Sequence, residues 1–222
     1  MQEGSVLSLD KSLLIGQGGS KDVYIDPRNP GRCIKISVRD PNPRDIRQET
    51  AYRKVRKLRR LPPSTLMVEY YGTVETDLGL GYVFERVADF DGKTSMTIEG
   101  LIEKELEARK RHVSVSELLR TEKEYPCVME CLLVFRDILF KENIIIPDMG
   151  AFNYVVQFDS PKEWRIRIVD DLGSPTLIPI VYYIDYFGAK HVRRRWKRFI
   201  REIMDLYPAC LSQEESDRLM EF

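Results

Sequence analysis

The sequence predicts an α+β fold, in which an N-terminal region of antiparallel strands is followed by a mainly helical region. Short apolar runs separated by glycine-rich and proline-rich turns occupy residues 5–38, as expected of an antiparallel ribbon. From residue 97 onward apolar residues recur mostly at helical spacing. The exception is a pair of alternating runs at 154–169, which is typical of a hairpin.

The composition is that of an ordinary globular protein with balanced charge. Hydrophobic residues make up 43% of 222 positions, and Lys+Arg equals Asp+Glu at 35 each, so net charge indicates neither nucleic acid nor membrane as a partner. No N-terminal signal pattern and no run of about 18 apolar residues is present, so we expect a cytoplasmic protein with no membrane partner. Four scattered cysteines without a C-x-x-C pair, beside only two histidines, argue against a structural zinc site.

The N-terminal ribbon, with strands predicted at Ser5–Leu9 and Ser12–Ile15, leads into a glycine-rich turn. The turn contains Gly16, Gly18 and Gly19, and glycines let a backbone approach a phosphate closely. A plain hairpin turn is the alternative interpretation.

A lysine interrupts the next apolar strand. Lys35 lies in the run from Arg32 to Val38, where its charge is costly to bury unless it is paired. The following helix, predicted over Asp45–Leu61, carries Glu49. Glu49 is the natural partner of Lys35, and the alternative is an i,i+4 pair with Arg53 on the helix surface.

Two further strands and a linker complete the N-terminal region. The strands are predicted at Leu66–Gly72 and Gly81–Val87, and Asp89–Gly92 reads as the linker. We therefore expect lobes at 1–88 and 89–222 that together form one domain.

The second region is predicted to be mainly helical. The segment before the hairpin pattern is apolar nearly all round, as expected of a buried helix, and Gly188 is predicted to precede the last long helix. The predicted helices are Thr97–Lys110, Ser114–Lys123, Cys127–Lys141 and Ala189–Tyr207, with a short final helix capped by Ser212.

The polar residues around the hairpin are the strongest functional signal. Asp148 and Asn153 precede the first strand, and Asp171 follows the second. A hairpin brings the start of one strand and the end of the other to the same end of the sheet. Carboxylate and amide oxygens are hard ligands that suit Mg²⁺, so the sequence predicts a magnesium site at this end. An ordinary hairpin with polar ends is the alternative.

These features occur in an order that resembles protein kinases. The order is a glycine-rich loop, a strand lysine, a helix glutamate, D-x-x-x-x-N at 148–153 and D-L-G at 171–173. The short C-terminal part and the hairpin after the asparagine more specifically resemble the YrbL family. That family comprises small bacterial kinase-like proteins named for the PhoP regulatory network. The resemblance implies a bilobal kinase-like fold: an N-terminal antiparallel β-sheet lobe with one αC-like helix and a shortened, mainly helical C-terminal lobe.

The resemblance also implies a phosphotransferase that uses ATP and Mg²⁺ and transfers the γ-phosphoryl group to a hydroxyl. Its acceptor would be an unknown small molecule or protein. The resemblance also implies a role for each matched residue. Around the nucleotide, Gly16, Gly18, Gly19 and Val23 would cover the phosphates, Lys35 would hold them, Glu49 would orient Lys35, Phe84 would be the gatekeeper, and Glu85 and Val87 would lie at the adenine edge. At the hairpin end, Asp148 would be the base, and Asn153 and Asp171 would be the metal ligands.

Three departures keep a second interpretation open. Lys21 occupies the third glycine position, Ile146-Pro147 stands where many kinases have His-Arg, and no A-P-E segment follows Gly173. A pseudokinase, which keeps the fold and a binding role without catalysis, is therefore the alternative function. Nucleic-acid binding through the basic residues of 53–60 and 193–201 is a third, less favoured alternative.

Overall fold

A computed structural model of the chain describes residues 6–40, 43–173 and 180–222. Within these residues the eight strands form two antiparallel sheets and are accompanied by seven α-helices, which confirms the predicted α+β class. The chain divides into two compact units. Unit 1 comprises residues 1–47 and 68–87, and unit 2 comprises residues 48–67 and 88–222.

Unit 1 is built on one five-stranded antiparallel sheet, with strand order β1-β2-β3-β5-β4. Its strands are β1 (Leu14–Gln17), β2 (Lys21–Ile25), β3 (Arg32–Ser37), β4 (Tyr70–Thr76) and β5 (Gly79–Glu85). Because side chains alternate along a strand, one face of this sheet carries the apolar core of the unit. That core contains Leu9, Tyr24, Ile34, Ile36 and Val83.

Local hydrogen bonds set several boundaries of unit 1 that differ from the predicted ones. Residues 11–13 form a 3-10 turn instead of a strand, because the Asp10 carboxylate accepts the Ser12 amide at 2.7 Å. Of the predicted strand Ser5–Leu9, Ser5 lies outside the described residues, and Leu7 forms one bridge to Thr76. The fourth and fifth strands meet at a tight turn, where Thr76 Oγ1 donates to the Gly79 carbonyl at 2.6 Å.

Helix α1 (Arg44–Leu58) starts in unit 1 and continues in unit 2. It ends before the predicted Leu61 because Arg60 adopts a left-handed conformation, with φ of 54°. Arg60 N donates to the Lys57 carbonyl and Leu61 N to that of Arg56, which closes the last turn.

Unit 2 combines a small three-stranded sheet with the remaining helices. The sheet order is β6-β7-β8. The elements are β6 (Met96–Thr97), α2 (Ile98–Arg111), α3 (Val115–Leu119), α4 (Val128–Lys141), a 3-10 turn at Ala151–Asn153, β7 (Tyr154–Phe158), β8 (Trp164–Ile168), α5 (Ile180–Tyr183), α6 (Asp185–Leu206) and α7 (Gln213–Met220).

The core of unit 2 is formed by α2, α4, α6 and the hairpin strands. Trp196 of α6 is fully buried, packs edge-on against Phe135 and Phe140, and donates its indole N–H to the Leu219 carbonyl at 2.9 Å. This contact joins α4, α6 and α7. The predicted cap of α7 is confirmed, since Ser212 and Glu215 form a reciprocal capping box.

Two helix predictions in unit 2 are wrong at their ends. Helix α3 stops at Leu119 and not at Lys123, because Arg120 adopts a left-handed C-cap conformation. Helix α6 begins at Asp185, so Gly188 lies inside it and not before it. A β-carbon at Gly188 would come within 2.6 Å of the Asn143 amide nitrogen, and glycine therefore serves close packing there.

Candidate functional site

The β7–β8 hairpin of unit 2 positions the predicted magnesium ligands. Tyr154 pairs with Ile168 at the open end of the hairpin, and Val169 N donates to the Asn153 carbonyl at 2.9 Å. The chain thus leaves β8 beside the residue that begins β7. This pairing follows from the two alternating apolar runs that the sequence displays.

Asn153 and Asp171 meet at this end of the hairpin. The Asn153 side-chain nitrogen donates to Asp171 Oδ2 at 3.0 Å, and Asn153 is almost fully buried. Asp171 has a φ of 63°, a left-handed conformation that costs about 1–2 kcal/mol for a residue with a β-carbon. Strained residues of this kind concentrate at functional sites, where the surrounding structure holds them in place.

Asp148 lies in the loop before the 3-10 turn, and its side chain is exposed. The charges of both Asp171 and Asp148 act on the hydroxyl of Tyr154, which is completely buried and has no hydrogen-bond partner within the described residues. Burial raises the pKa of Tyr154 well above its ordinary value, and the two carboxylates add to this effect. Tyr154 therefore stays a neutral phenol beside the two acids.

Three contacts fix the segment that leads to Asp148. Ile145 N donates to the Tyr52 hydroxyl at 3.0 Å, and Gly173 N donates to the Ile145 carbonyl at 2.9 Å. His191 Nε2 lies 3.1 Å from the Ile146 carbonyl. Gly173 has a φ of 100°, and a β-carbon there would come within 2.9 Å of both the Gln48 carbonyl and the Tyr182 hydroxyl. The D-L-G glycine is thus required by conformation and by space.

Glu49 forms the pair that the sequence left as the alternative. Its Oε1 accepts from Arg53 Nε at 3.0 Å, one turn further along α1. The pair is not on the surface, however, because only 3% of the Glu49 side chain and 15% of the Arg53 side chain are exposed. A buried carboxylate held by one arginine is costly to separate from it.

In unit 1 the sheet register aligns three predicted nucleotide-binding residues. Gly16 lies opposite Val23, Val23 opposite Lys35, and Lys35 opposite Tyr82. Directly opposed residues point to the same face of a sheet, so this row lies on the face opposite the core residue Ile34. The glycine-rich turn, Lys35 and Val23 are therefore neighbours in space.

The turn between β1 and β2 is tight, with Gly18 N donating to the Lys21 carbonyl at 2.8 Å. A β-carbon at Gly19 would meet no atom within 4 Å, so the space beside this residue is open. Lys21 itself is buried and forms an ion pair with Asp45. The departure at the third glycine position is thus a structural lysine.

Lys35 is buried, and its ammonium lies 4.5 Å from the centre of the Phe84 ring. Phe84 is itself buried against Tyr70. Glu85 N donates to the Glu69 carbonyl at 2.9 Å, so its amide is engaged within the sheet. The Glu85 carbonyl accepts a weak contact from the Cys33 thiol, at 3.7 Å. Val87 follows β5 as the last residue of unit 1.

A cavity of about 580 Å³ lies elsewhere in unit 2. Its walls include Tyr52, Arg56, Arg59 and Tyr182, and none of the predicted site residues lines it. The guanidinium groups of Arg56 and Arg59 donate to backbone carbonyls around the cavity, those of Glu142, Pro62 and Tyr182. These arginines therefore support the loop conformations, and the cavity is not the site that the motifs indicate.

Sequence reasoning missed Tyr154, His191 and the partner of Lys21. Tyr154 and His191 read as core residues on a strand and a helix, and nothing in the sequence shows what their polar atoms face. Lys21 carried a usable signal, since a lysine within a strand of alternating apolar residues requires a partner.

The residues at the hairpin end fit a magnesium ion by their donor chemistry. The Asn153 amide and the Asp171 carboxylate lie within hydrogen-bonding distance. Rotation of the amide would bring its oxygen beside the carboxylate oxygen, so that two hard oxygens could bind one ion. Asp170 directly precedes Asp171 and is the rival carboxylate.

Comparison with known proteins gives a consistent result. The model of a family described as "PhoP regulatory network protein YrbL" matches residues 7–204. The "Uncharacterized protein YrbL" of Escherichia coli (strain K12) is 29% identical over 199 residues, which cover 89% of this chain and 88% of that protein. The protein of the same name from Shigella flexneri matches to the same extent. Among the described residues, no helix has both the length and the apolar character needed to cross a membrane.

Proposed function

The chain belongs to the PhoP regulatory network protein YrbL family, as its sequence resemblance predicts, and we propose that it is an ATP- and Mg²⁺-dependent phosphotransferase with a kinase-like fold. The observation that carries the proposal is the hydrogen-bonded pair of Asn153 and Asp171, held with a strained Asp171 at the end of a hairpin that Asp148 precedes. The row formed by Gly16, Val23 and Lys35 supports it. In protein kinases the phosphate-holding lysine also lies on the third strand.

The proposed roles follow from the chemistry of each side chain. Lys35 carries a positive charge on the face of the sheet that also presents Val23, and would neutralise phosphate oxygens. Asn153 and Asp171 would hold Mg²⁺, which supplies further charge neutralisation for the phosphates when it is bound. The phosphoryl acceptor remains a hydroxyl of an unidentified small molecule or protein.

In the proposed transfer step one phosphorus–oxygen bond forms, one breaks and one proton moves. The acceptor oxygen forms a bond to the γ-phosphorus, and the bond from that phosphorus to the β,γ-bridging oxygen breaks, so that the electron pair leaves with ADP. The proton of the acceptor hydroxyl passes to the exposed carboxylate of Asp148. Tyr154, neutral beside Asp148 and Asp171, does not compete as an acid or a base at neutral pH.

One contact favours the second candidate, a pseudokinase. The Glu49 carboxylate is buried and bound by Arg53, and an active kinase uses this glutamate for the strand lysine. A regulatory binding module would retain nucleotide binding and lack transfer. The family description, which names a regulatory network, is compatible with either function.

Nucleotide binding and turnover, measured together, test both candidates. We expect Mg-ATP to raise the melting temperature, because a ligand at 100 times its Kd stabilises the folded state by about 2.7 kcal/mol. Asp171→Asn should abolish the metal-dependent part of this shift, whereas the matched control Asp170→Asn should retain it. Lys35→Met should lower ADP release by roughly 100-fold or more, and Lys57→Met, at an exposed lysine, should leave it unchanged.

The outcomes separate the alternatives. A melting shift without ADP release would establish the pseudokinase, and loss of the shift in Asp170→Asn alone would move the metal ligand to Asp170. Full turnover by Lys35→Met would overturn the assignment.

A further inference from the structure

The consecutive helices α5 and α6 expose two groups of chemically distinct residues. The apolar end consists of Ile180, Tyr183, Ile184, Tyr186 and Phe187, which are 42–69% exposed. The basic stripe follows directly and consists of six exposed cations, Lys190, Arg193, Arg194, Lys197, Arg198 and Arg201. We call the two parts together the α5–α6 face.

Helical periodicity places the exposed apolar and basic residues of α6 on one side of that helix. The buried side of α6 contains Gly188, His191, Val192, Trp196, Phe199, Ile200 and Ile203. With 3.6 residues per turn, Phe187, Lys190, Arg194 and Arg201 all point away from that side. From Tyr186 to Arg201 the face extends about 22 Å, at 1.5 Å per residue.

The positive charge of the stripe is only partly neutralised. Arg198 pairs with Glu202, and the side chains of Arg193 and Lys197 lie over the ring of Phe222. Over the ranges that the structure describes, Lys190, Arg194 and Arg201 form no ion pair. Asp185, the acid nearest to the apolar end, is already bound by Arg59 at 2.8 Å.

We propose that the α5–α6 face docks on the surface of an anionic phospholipid bilayer. The aromatic and isoleucine side chains of the apolar end would enter the headgroup region, and the cations of the basic stripe would contact lipid phosphates. This inference is independent of phosphotransfer. It differs from the sequence-based expectation of no membrane partner, and the lack of a membrane-crossing helix among the described residues does not bear on it, since a helix can lie on a membrane without crossing it.

The arrangement favours lipid over nucleic acid. A single-stranded nucleic acid is bound by aromatic side chains interleaved with cations along one groove. Here the apolar residues are gathered at one end, and two of them, Ile180 and Ile184, are aliphatic and offer no stacking surface to a base. Tyr and Phe beside clustered Lys and Arg are typical of an interfacial contact.

Vesicle co-sedimentation of the full chain tests the proposal. We expect binding to phosphatidylcholine vesicles that contain about 30% phosphatidylglycerol, and about tenfold weaker binding to pure phosphatidylcholine. Raising the salt from about 0.1 M to about 0.5 M should weaken the electrostatic part. The variant Lys190→Glu/Arg194→Glu/Lys197→Glu should lose binding at least about tenfold, and Tyr186→Ser/Phe187→Ser should weaken it while retaining the salt dependence.

A matched control makes the same change of charge at exposed lysines of other helices, Lys54→Glu/Lys57→Glu/Lys110→Glu. Melting temperatures near that of the native protein show that each variant is folded. Equal vesicle binding by the stripe variant and the control would overturn the proposal. Binding of polyuridylic acid that the stripe variant loses, without vesicle binding by the native protein, would overturn it in favour of nucleic acid.

Discussion

The two units differ in how much apolar core supports their predicted site residues. In unit 1 the core cluster contains Leu9 and four strand residues on one face of the sheet, and Cys33 and Phe84 are buried on the other face. In unit 2 the cluster draws buried residues from α2, α4, α6 and both hairpin strands. The row of Gly16, Val23 and Lys35 thus lies across the sheet from a small apolar cluster, whereas Asn153 and Asp171 are next in the chain to residues of a large one.

This difference matches the tasks that we propose for the two sets of residues. A loop that covers a nucleotide must open and close, and such elements come from the less stable parts of a protein. Metal ligands and a catalytic base must be held within a fraction of an ångström, which requires rigid support. Three measurements test this difference between the two units.

The largest difference is expected between two buried lysines, one in each unit. Lys123 pairs at 2.7 Å with Asp89, whose side chain is only 1% exposed, whereas Lys21 pairs with Asp45, which is 32% exposed. Lys123→Ala should cost about 3–5 kcal/mol, because the buried Asp89 carboxylate keeps its hydrogen bonds from Ser95 and Phe158 but loses the cation that neutralises it. Lys21→Ala should cost less, since water can solvate Asp45. Urea unfolding of both variants measures the difference, and equal costs would contradict the comparison.

A smaller difference is expected between two fully buried isoleucines. Ile102 lies in the core of unit 2 and Ile34 in that of unit 1, and both are 0% exposed. Ile→Ala substitutions cost about 2–5 kcal/mol, and the cost depends on how far the surroundings collapse into the cavity. We expect Ile102→Ala near the upper limit and Ile34→Ala near the lower one. Amide hydrogen exchange should show the loss of protection within the unit that carries the substitution. Equal losses of stability would show that the small core of unit 1 is as rigid as the large core of unit 2.

Periodicity and turn chemistry predicted much of the hairpin and its polar end. The two alternating runs that the sequence shows within 154–169 form β7 (Tyr154–Phe158) and β8 (Trp164–Ile168). The hairpin placed Asn153 near Asp171 because both flank strands that must pair. Local pattern suffices there since the two strands are adjacent in the chain.

Contacts between distant residues were outside the reach of the sequence. Nothing local indicates that Tyr154 presents an unpartnered hydroxyl toward two acids, or that Lys21 pairs with a residue 24 positions later. The start of α6 was misjudged for the same reason. Gly188 reads as a helix breaker, but close packing against Asn143 places it within the helix.

The smallest expected effect is a pH dependence that belongs to unit 2 alone. His191 is buried, and burial lowers the pKa of His191. The hydrogen bond to the Ile146 carbonyl raises the pKa, and the nearby positive charges of Arg195 and Arg194 lower it further, so that the net pKa lies below the ordinary value. Above about pH 6.5 the residue is neutral in both the folded and the unfolded chain. Below that value the unfolded chain binds a proton at this histidine more readily than the folded chain does. The free energy of unfolding therefore decreases as the pH is lowered, until the pH passes below the pKa of His191 in the folded chain.

His191→Gln should therefore flatten the melting temperature between about pH 7.5 and about pH 5.5, relative to the native protein. The other histidine provides the control, because His112 is exposed and His112→Asn should leave the slope unchanged. An identical slope in the native protein and in His191→Gln would show that the histidine does not resist protonation. The anchoring of the Ile146 carbonyl by α6 would then not depend on a neutral imidazole.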